Sequence, residues 1–382
     1  MGYRGLARLI YKKLGVGGVF VLIGIIALIL LIRDIGMGRT MDSIDLKADI
    51  IGTIVGLAGG AALIALRIKK QKSSQQNTDS VENITPNRHE PQKPAVHEKS
   101  DTIFIDLKKD IVDPINAMYK PLPMLHFDTI RAETTVFDSK LGGTPYMPKD
   151  FTYPTGSGKH AGQPLKLLAQ LNLDELVHIK DFPHGGMLQF FIAVDELYGV
   201  NFDDYNDRSG FKVIYHKDII KDKSQLMSAE DIPSFNNDTD TFPFSGEFLL
   251  KPRRTEMCKI TAADFRFENE FIKAYNNITG ESIKYTYLMN ESYFGSEHTL
   301  EDMYDVLINE GTCMGGYPNF TQNDPRSYNK DQQSKTIMLM QIDSDLDNDI
   351  MWGDMGIANF FITPEDLAAE NFDNVLYTWD CC

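Results

Sequence analysis

The sequence predicts an α+β fold: an internally duplicated, sheet-rich globular domain of two pseudo-symmetric halves, preceded by a two-helix transmembrane hairpin. Two apolar stretches near the N-terminus predict the hairpin, and a polar segment separates them from the rest of the chain. The remaining residues contain two similar blocks in which strand-like runs alternate with short helix-like runs. With 382 residues in all, the chain keeps enough length after the hairpin to bury a sizeable core.

The two apolar stretches have roughly the length that a membrane-spanning helix needs. The first covers residues 15–32 and carries no charge, and the second covers about 50–68 and is richer in small residues. A cleaved signal peptide is disfavoured because no A-x-A-like site follows the first stretch. We therefore predict a transmembrane hairpin within residues 1–70.

Basic residues flank the hairpin on its outer sides and predict its orientation. They lie before the first stretch and at the end of the second, at Arg4, Arg8, Lys12, Lys13, Arg67, Lys69, Lys70 and Lys72. The connecting loop, residues 33–49, has three basic and four acidic residues. Because basic flanks stay in the cytoplasm, we predict a multi-pass protein of the cell membrane with both termini cytoplasmic.

Three glycines in the second stretch lie at four-residue spacing, which places Gly52, Gly56 and Gly60 on one helix face. Small residues at this spacing let two helix backbones approach closely. The ridge either packs against the first span of the same hairpin or joins two copies of the chain as a homodimer. The sequence leaves both interpretations open.

A linker and one domain follow the hairpin. Residues 71–100 have almost no apolar side chains, so they cannot bury enough surface to offset their conformational entropy. We predict a disordered linker there and a single domain over residues 101–382. Within this domain, the first repeat covers about 139–216 and the second about 312–379.

The acidic charge of the chain belongs to the predicted domain. The whole chain has a net charge of −16, but its first 100 residues contain fourteen basic and eight acidic residues. They carry +6, so the residues from Asp101 onward carry −22. Such a domain repels phosphate backbones, which excludes nucleic acid as a partner and favours a basic protein partner, metal ions or mere solubility.

The duplication is visible as aligned blocks. Residues 186–203 and 356–373 are identical at eight of eighteen positions with a constant offset of 170. Upstream, a strand-like run around Gln170 matches one around Gln341, and Gly-Gly-x-Pro turns precede both runs. Three ordered blocks at matched spacing indicate a true internal repeat.

Several motifs in and around these repeats occur together and in order. They are SKLGGTP (residues 139–145), LLAQLNL, GMLQFF, GGYPNFTQNDPR (residues 315–326) and the closing QIDSD, MWGDMG and FFITPEDL. In these motifs the chain resembles the YwqG-like family, also called the domain of unknown function 1963. The resemblance covers residues 139–382 and implies an internally duplicated α+β fold. It implies no activity, because the family has none established.

Polar residues repeated inside apolar strands are candidate ligand-binding residues. Gln170 and Gln341 lie at matching places in their runs, where buried amides need hydrogen-bond partners. If the halves pack about a pseudo-twofold axis, these amides line a shared cleft near Lys140, Arg326, Trp352 and Asp354. The alternative is that they bond loop backbones and fix the turns of each half.

An acidic run gives the candidate metal site. Its carboxylates fall at loop positions 1, 3, 5, 7 and 12, which are Asp343, Asp345, Asp347, Asp349 and Asp354. Calcium prefers oxygen ligands at this spacing, although Asn348 replaces the usual glycine and Asp354 the usual glutamate. The run therefore predicts a weak Ca²⁺ site or a solvated acidic turn, and no other cofactor is predicted.

The sequence contains no catalytic motif of a known class. It has neither H-E-x-x-H nor G-x-S-x-G, and the four cysteines form no C-x-x-C pair. Whether the chain is an enzyme stays uncertain, with a non-enzyme favoured. We predict a cytoplasmic protein-interaction module without a known activity. The alternatives are a small-ligand-binding protein or enzyme with a site between the repeats, and a divalent-cation-responsive domain.

Overall fold

Ten antiparallel strands form one sheet in the computed structural model, which describes residues 104–235, 241–294 and 307–381. In chain order the strands are β1 (Leu122–Arg131), β2 (Lys140–Gly142), β3 (Lys166–Asn172), β4 (Met187–Ile192), β5 (Phe211–His216), β6 (Glu247–Cys258), β7 (Cys313–Gly315), β8 (Ile337–Asp343), β9 (Ile357–Ile362) and β10 (Leu376–Asp380).

The strand order across the sheet is β10-β9-β8-β7-β1-β6-β2-β3-β4-β5. If each of β1–β5 is taken as equivalent to the corresponding strand of β6–β10, the order of equivalent strands is the same from either edge of the sheet. The pairing details match too, since a register shift lies between Leu167 and Ala169 in β3 and between Met338 and Met340 in β8. The two sets of five strands therefore have the same local geometry.

Helices are few and lie outside the sheet. They are α1 (Asp113–Met118), which continues the π-helical segment Leu107–Val112, α2 (Phe265–Thr279) and the short α3 (Pro364–Ala368). In α2, the Asp264 side chain caps the N-terminus, and Gly280 with φ 75° ends the helix. The apolar face of α2 buries Phe267, Phe271 and Tyr275 in a second core cluster.

The sheet curves so far that its two edge strands approach each other, giving a near-barrel. The rings of Phe190 in β4 and Phe360 in β9 lie 4.7 Å apart, and those of Phe211 in β5 and Tyr377 in β10 lie 5.2 Å apart. All four residues belong to one buried cluster, which fills the concave side. Burying a ring of this size contributes about 1.5–3 kcal/mol, so these contacts hold the curvature.

The Gly-Gly turns predicted from sequence follow β2 and β7. Gly142 and Gly315 have φ of 66° and 72°, and an added Cβ would meet a backbone oxygen at 2.6 Å in each case. Only glycine fits this close approach without strain. The turns bring the loops after β2 and β7 back across the sheet.

The predicted fold class is wrong in two respects. The described residues form an antiparallel sheet with few helices rather than an α+β arrangement. They also do not form two separate halves, because β1 pairs with β7 and β6 pairs with β2, so each set gives its first strand to the other. Sequence similarity located the repeats but carried no information on which strands pair.

The predicted membrane hairpin, membrane partner and multi-pass localisation also require correction. No helix in residues 104–235, 241–294 and 307–381 is long and apolar enough to cross a membrane. The predicted spans, the linker at 71–100 and the ridge of Gly52, Gly56 and Gly60 fall outside the described residues. Hydropathy alone predicted the hairpin, and the structure gives it no support.

Candidate functional site

The predicted ligand residues Gln170 and Gln341 lie fully buried in β3 and β8. Gln170 Oε1 accepts from the Tyr146 N–H at 2.8 Å, and its Nε2 donates to the carbonyls of Val136 and Asp138. Gln341 Oε1 accepts from the Asn319 N–H at 2.7 Å, and its Nε2 donates to the carbonyls of Asn309 and Gly311, just before the second repeat. Each amide thus fixes loops next to its own repeat.

Lys140 is fully buried in β2, where its Nζ donates to the carbonyls of Thr135 and Thr144. Burial lowers the pKa of Lys140 to about 8, although Glu247 and Asp138 act in the opposite direction. The ammonium of Lys140 is thus hydrogen-bonded to two backbone oxygens. β2 and β8 are not neighbours in the sheet, so Lys140 and Gln341 lie in separate parts of it.

The acidic run is divided among different local roles. Asp343 in β8 accepts from the Gly311 N–H, and Asp345 caps the turn that holds Asp347. Asp349 and Asp354 are exposed. In the described part of the chain, no group of three or more His, Cys, Asp or Glu side chains is placed to hold a metal ion. The calcium site stays a prediction from sequence.

Arg326 lies fully buried in the turn Pro325–Ser327. Its guanidinium contacts the carboxylate of Asp324 at 2.7 Å and that of Asp264 at 3.4 Å, and it lies 3.8 Å from the Phe361 ring centroid. Arg266 also binds Asp264 at 2.7 Å. Two arginines and two aspartates therefore form one buried network that fixes this turn.

A cavity of about 270 Å³ lies in front of this network, and it combines aromatic rings with one carboxylate. We call it the aromatic–carboxylate pocket. Its rings and acid are Phe202, Tyr205, Tyr328, Trp379 and Asp380, and Gln322, Asn323, Pro325, Thr378 and Cys381 complete its wall.

Neighbouring aromatic rings of the pocket meet at steep angles rather than stacking face to face. Phe202 meets Trp379 with 5.5 Å between centroids at 70°, and it meets Tyr205 with 6.5 Å at 84°. Tyr205 in turn meets Tyr328 at 61°, and their hydroxyls lie 3.4 Å apart. Phe202 and Tyr328 are 39 % and 64 % exposed, whereas Trp379 is buried, so the pocket has an open aromatic rim and a closed base.

Asp380 is the charged group of the pocket. Its Oδ2 accepts from the Gln322 N–H at 2.6 Å, but its Oδ1 is buried and has no hydrogen-bond partner among the described residues. Burial raises the pKa of Asp380, and the backbone N–H groups of Gln322 and Thr321 offset only part of this effect. Because Oδ1 is buried, a ligand in the pocket would meet Asp380 through its charge rather than through a hydrogen bond to that oxygen.

Distant segments assemble the pocket. The residues before Phe202 cross the outer edge of β10, where the Tyr377 hydroxyl donates to the Tyr198 carbonyl and Trp379 Nε1 donates to the Leu197 carbonyl. The opposite wall begins at Pro325, one residue before Arg326. Of the residues predicted from sequence, Arg326 and Trp352 lie behind the pocket, since Trp352 contacts Trp379 with 6.3 Å between centroids.

A second cavity, of about 450 Å³, lies at the matching place beside β5. We call it the counterpart pocket. It contains Phe372, which matches Phe202 at the offset of 170, and Phe372 packs on Tyr215 as Phe202 packs on Trp379. Its wall includes Tyr153, Arg208, Lys212 and Asp373, with Phe151 and residues of β5.

Sequence reasoning missed the aromatic–carboxylate pocket because its members lie far apart in the chain. The adjacent Trp379 and Asp380 were visible at the end of a predicted strand, and Phe202 was visible in the repeated block. Nothing in the sequence showed that the loop of one repeat covers the last strand of the other. The pocket offers a charged acceptor and ring faces, which suit a cation.

A protein-family model matches a large part of the chain. The model described as "Domain of unknown function (DUF1963)" matches residues 139–381, which include all ten residues of the aromatic–carboxylate pocket. No curated protein matches the chain.

Proposed function

The chain belongs to the family of the domain of unknown function DUF1963, and from this premise we propose that its domain is a non-catalytic interaction module. It takes a positively charged side chain of a partner protein into the aromatic–carboxylate pocket. The proposal makes the site a place of recognition and assigns it no reaction.

The grouping of four aromatic rings around one partly buried carboxylate, that of Asp380, is the observation that carries this proposal. An ammonium entering the pocket places an opposite charge beside that carboxylate. The rings of Phe202, Tyr205, Tyr328 and Trp379 add attraction, because a cation within about 6 Å of an aromatic face is stabilised by about 0.5–2 kcal/mol.

The charge of the domain supports a basic partner. Residues from Asp101 onward carry −22, which attracts a positively charged protein over distances up to about the Debye length and raises its association rate. Long-range attraction and local recognition then act on the same partner. Binding should accordingly weaken as salt is added.

A small-ligand-binding protein is the second candidate, and one observation favours it. The aromatic–carboxylate pocket takes Phe202 and Tyr205 from the first repeat and the rest of its wall from the second. A site between the repeats was the alternative that the sequence left open. A free organic amine could occupy it without any contact to a larger partner surface.

Calorimetric titration of two matched peptides tests the proposal. Both are Gly–Ser peptides with one central residue, which is lysine in the first and acetyl-lysine in the second. We expect binding of the lysine peptide alone, because acetylation removes the charge. Asp380→Asn should weaken binding at least ten-fold, since it removes the negative charge that attracts the ammonium.

Asp373→Asn is the control variant, because it changes the net charge equally but lies in the counterpart pocket. It should leave the affinity within two-fold. Equal losses in both variants would show that net charge alone attracts the peptide and would overturn the pocket assignment. Butylammonium binding as tightly as the peptide would favour the small-ligand candidate instead.

A further inference from the structure

We infer that the counterpart pocket binds an extended peptide segment of a partner protein as an added strand on the outer edge of β5. The segment has an acidic residue between two apolar ones. The site is separate from the aromatic–carboxylate pocket, and the inference goes beyond the proposed function because it concerns backbone pairing rather than capture of a cationic side chain.

The outer edge of β5 has unpaired backbone groups. Among the described strands, β5 is the last of the sheet and pairs with β4 alone. The Ala193 N–H donates to the Gly210 carbonyl at 2.7 Å, and hydrogen-bonded pairs alternate from there along the two strands. Phe211 and Val213 therefore direct their N–H and C=O groups away from β4. No hydrogen bond within the described part of the chain uses these groups.

The counterpart pocket runs along this edge. Four consecutive residues of β5, 211–214, line it, although their side chains alternate between the two faces of the sheet. A cavity that borders neighbouring residues with side chains on opposite faces lies against the backbone between them. The outward groups of Phe211 and Val213 therefore point into the cavity, whose volume of about 450 Å³ is typical of ligand pockets.

Two walls enclose the space beside β5, one on each face of the sheet. On the convex face, residues 151–155 form the first wall, and one of their rings packs on Phe191 with 6.0 Å between centroids. On the concave face, Phe372 belongs to the second wall and packs on Tyr215 with 5.4 Å between centroids. A single extended chain fits between these walls, whereas the edge of a second copy would bring its own two walls and collide with them.

Lys212 supplies the charge that the ligand must match. The charged residues that line the counterpart pocket are Arg208, Lys212 and Asp373. Arg208 Nη1 donates to the Asp373 carbonyl at 3.0 Å, so these two opposite charges lie together on the second wall and offset each other. Lys212 is exposed and forms no ion pair among the described residues. A lysine in an edge strand disfavours an apolar partner strand and favours one with a carboxylate opposite it.

The alternation of side chains then defines the ligand. In a paired strand, the residue opposite Lys212 points to the convex face, and its two neighbours point to the concave face beside Phe372. A glutamate opposite Lys212 makes a cross-strand ion pair, and β-branched apolar neighbours lie against the second wall. An acid at either neighbouring position would instead meet the Asp373 carboxylate. Backbone bonds to Phe211 and Val213 thus supply affinity, and the pattern apolar, acidic, apolar supplies specificity.

Calorimetric titration of the full chain with two capped peptides tests the charge match. Both have Gly–Ser flanks, and their centres are Val-Glu-Val and Val-Lys-Val. We expect Val-Glu-Val to bind at least ten-fold tighter. Lys212→Glu should reverse this preference, whereas Lys223→Glu, an equal change of net charge at an exposed position outside the pocket, should keep it. Circular dichroism of both variants checks that they are folded.

N-methylated forms of the Val-Glu-Val peptide test the backbone pairing. In a strand antiparallel to β5, the two valines direct their N–H groups to Phe211 and Val213, and the glutamate directs its N–H away. Methylation of both valine nitrogens should weaken binding at least ten-fold, and methylation of the glutamate nitrogen should leave it within about three-fold. Amide hydrogen exchange of Phe211 and Val213 should slow when the unmodified peptide binds.

Several outcomes would overturn the inference. They are equal affinity for the two peptides, an unchanged preference in Lys212→Glu, binding that tolerates methylation of the valine nitrogens, and absence of binding by every peptide. Light scattering adds one more, because a dimer that Lys212→Glu dissociates would mean that a second copy occupies the edge. Asp380→Asn should leave binding of Val-Glu-Val within two-fold, so the proposed function stands or falls separately.

Discussion

The aromatic–carboxylate pocket and the counterpart pocket occupy matching places in the sheet but differ in charge. In the first, Phe202 covers β10, and in the second Phe372 covers β5. From the strand registers, Asp380 in β10 holds the place of His216 in β5, because they pair with the matching residues Ile357 and Met187. Matching positions in the two edge strands thus carry an acid and a base, but His216 lies outside the wall of the counterpart pocket, whose charged groups are Arg208, Lys212 and Asp373.

Burial acts on the acid and the base in opposite directions. It raises the pKa of Asp380 and lowers the pKa of His216 to about 4. Burial disfavours the charged form of His216, whose Nε2 bonds to Gln189 Oε1 at 3.2 Å and whose ring packs on those of Tyr146 and Phe151. Burial thus disfavours the charged form at both matching strand positions, an acid in β10 and a base in β5.

The side chains that hold the loops beside the two pockets also differ in charge. Tyr153 packs on Phe191 and donates its hydroxyl to the Leu165 carbonyl, just before β3. Arg326 packs on the matching Phe361 and donates to the Lys335 carbonyl, just before β8. A neutral phenol and a charged guanidinium therefore hold corresponding loops. Only the guanidinium needs a network of carboxylates to be buried.

The largest expected effect concerns these two supports. Arg326→Met should destabilise the domain by about 3–5 kcal/mol, because it leaves the Asp324 carboxylate buried without its partner. Tyr153→Phe should cost about 1 kcal/mol, the value of one hydrogen bond. Urea unfolding of both variants measures the difference. Equal losses of unfolding free energy would contradict the idea that an ion-pair network holds one loop and a single hydrogen bond holds the other.

The second effect is a pH dependence from His216. Its folded pKa of about 4 lies below the unfolded value of 6.5, so its contribution to stability is present above pH 6.5 and is lost as the pH falls towards 4. The loss should reach about 2 kcal/mol after allowance for partial exposure. His216→Gln should remove this loss in unfolding titrations. A variant that follows the wild-type pH profile would refute the assignment.

A third effect concerns the repeated phenylalanines. Phe202→Ala should weaken binding of the lysine peptide by about 1 kcal/mol, since it removes one exposed ring from the wall of the pocket. Phe372→Ala should leave binding unchanged, although burial of Phe372 means that this variant loses more stability. Calorimetry measures the effect of each variant on binding, and urea unfolding measures its effect on stability. Loss of binding in Phe372→Ala but not in Phe202→Ala would contradict the assignment of binding to the aromatic–carboxylate pocket.

The smallest effect is a gain of stability in Asp380→Asn without ligand. The folded pKa of Asp380 is raised, so the folded protein loses stability as the pH rises from 3.8 through the folded pKa, and this loss persists at neutral pH. The asparagine variant should lack this decline and be slightly more stable than wild type at pH 7. Thermal unfolding at pH 3.5 and 7 measures it, and greater stability of the wild type at pH 7 would contradict the raised pKa of Asp380.

The sequence determined the repeats and much of the strand positions. The aligned blocks around Gln170 and Gln341 fall in β3 and β8, and the aromatic runs after Gly186 and Gly356 fall in β4 and β9. Local patterns suffice here because apolar and β-branched runs between turn residues have little alternative to a buried strand. The family resemblance over the repeats was confirmed as well.

Only the tertiary structure decided how the strands pair and where a pocket forms. The exchange of β1 and β6 between the two sets depends on contacts more than 100 residues apart, which no local pattern encodes. The same holds for Phe202 and Asp380, which become neighbours only after the sheet curves into a near-barrel. The sequence supplied the aromatic rings and the carboxylate, and curvature brought them together around one pocket.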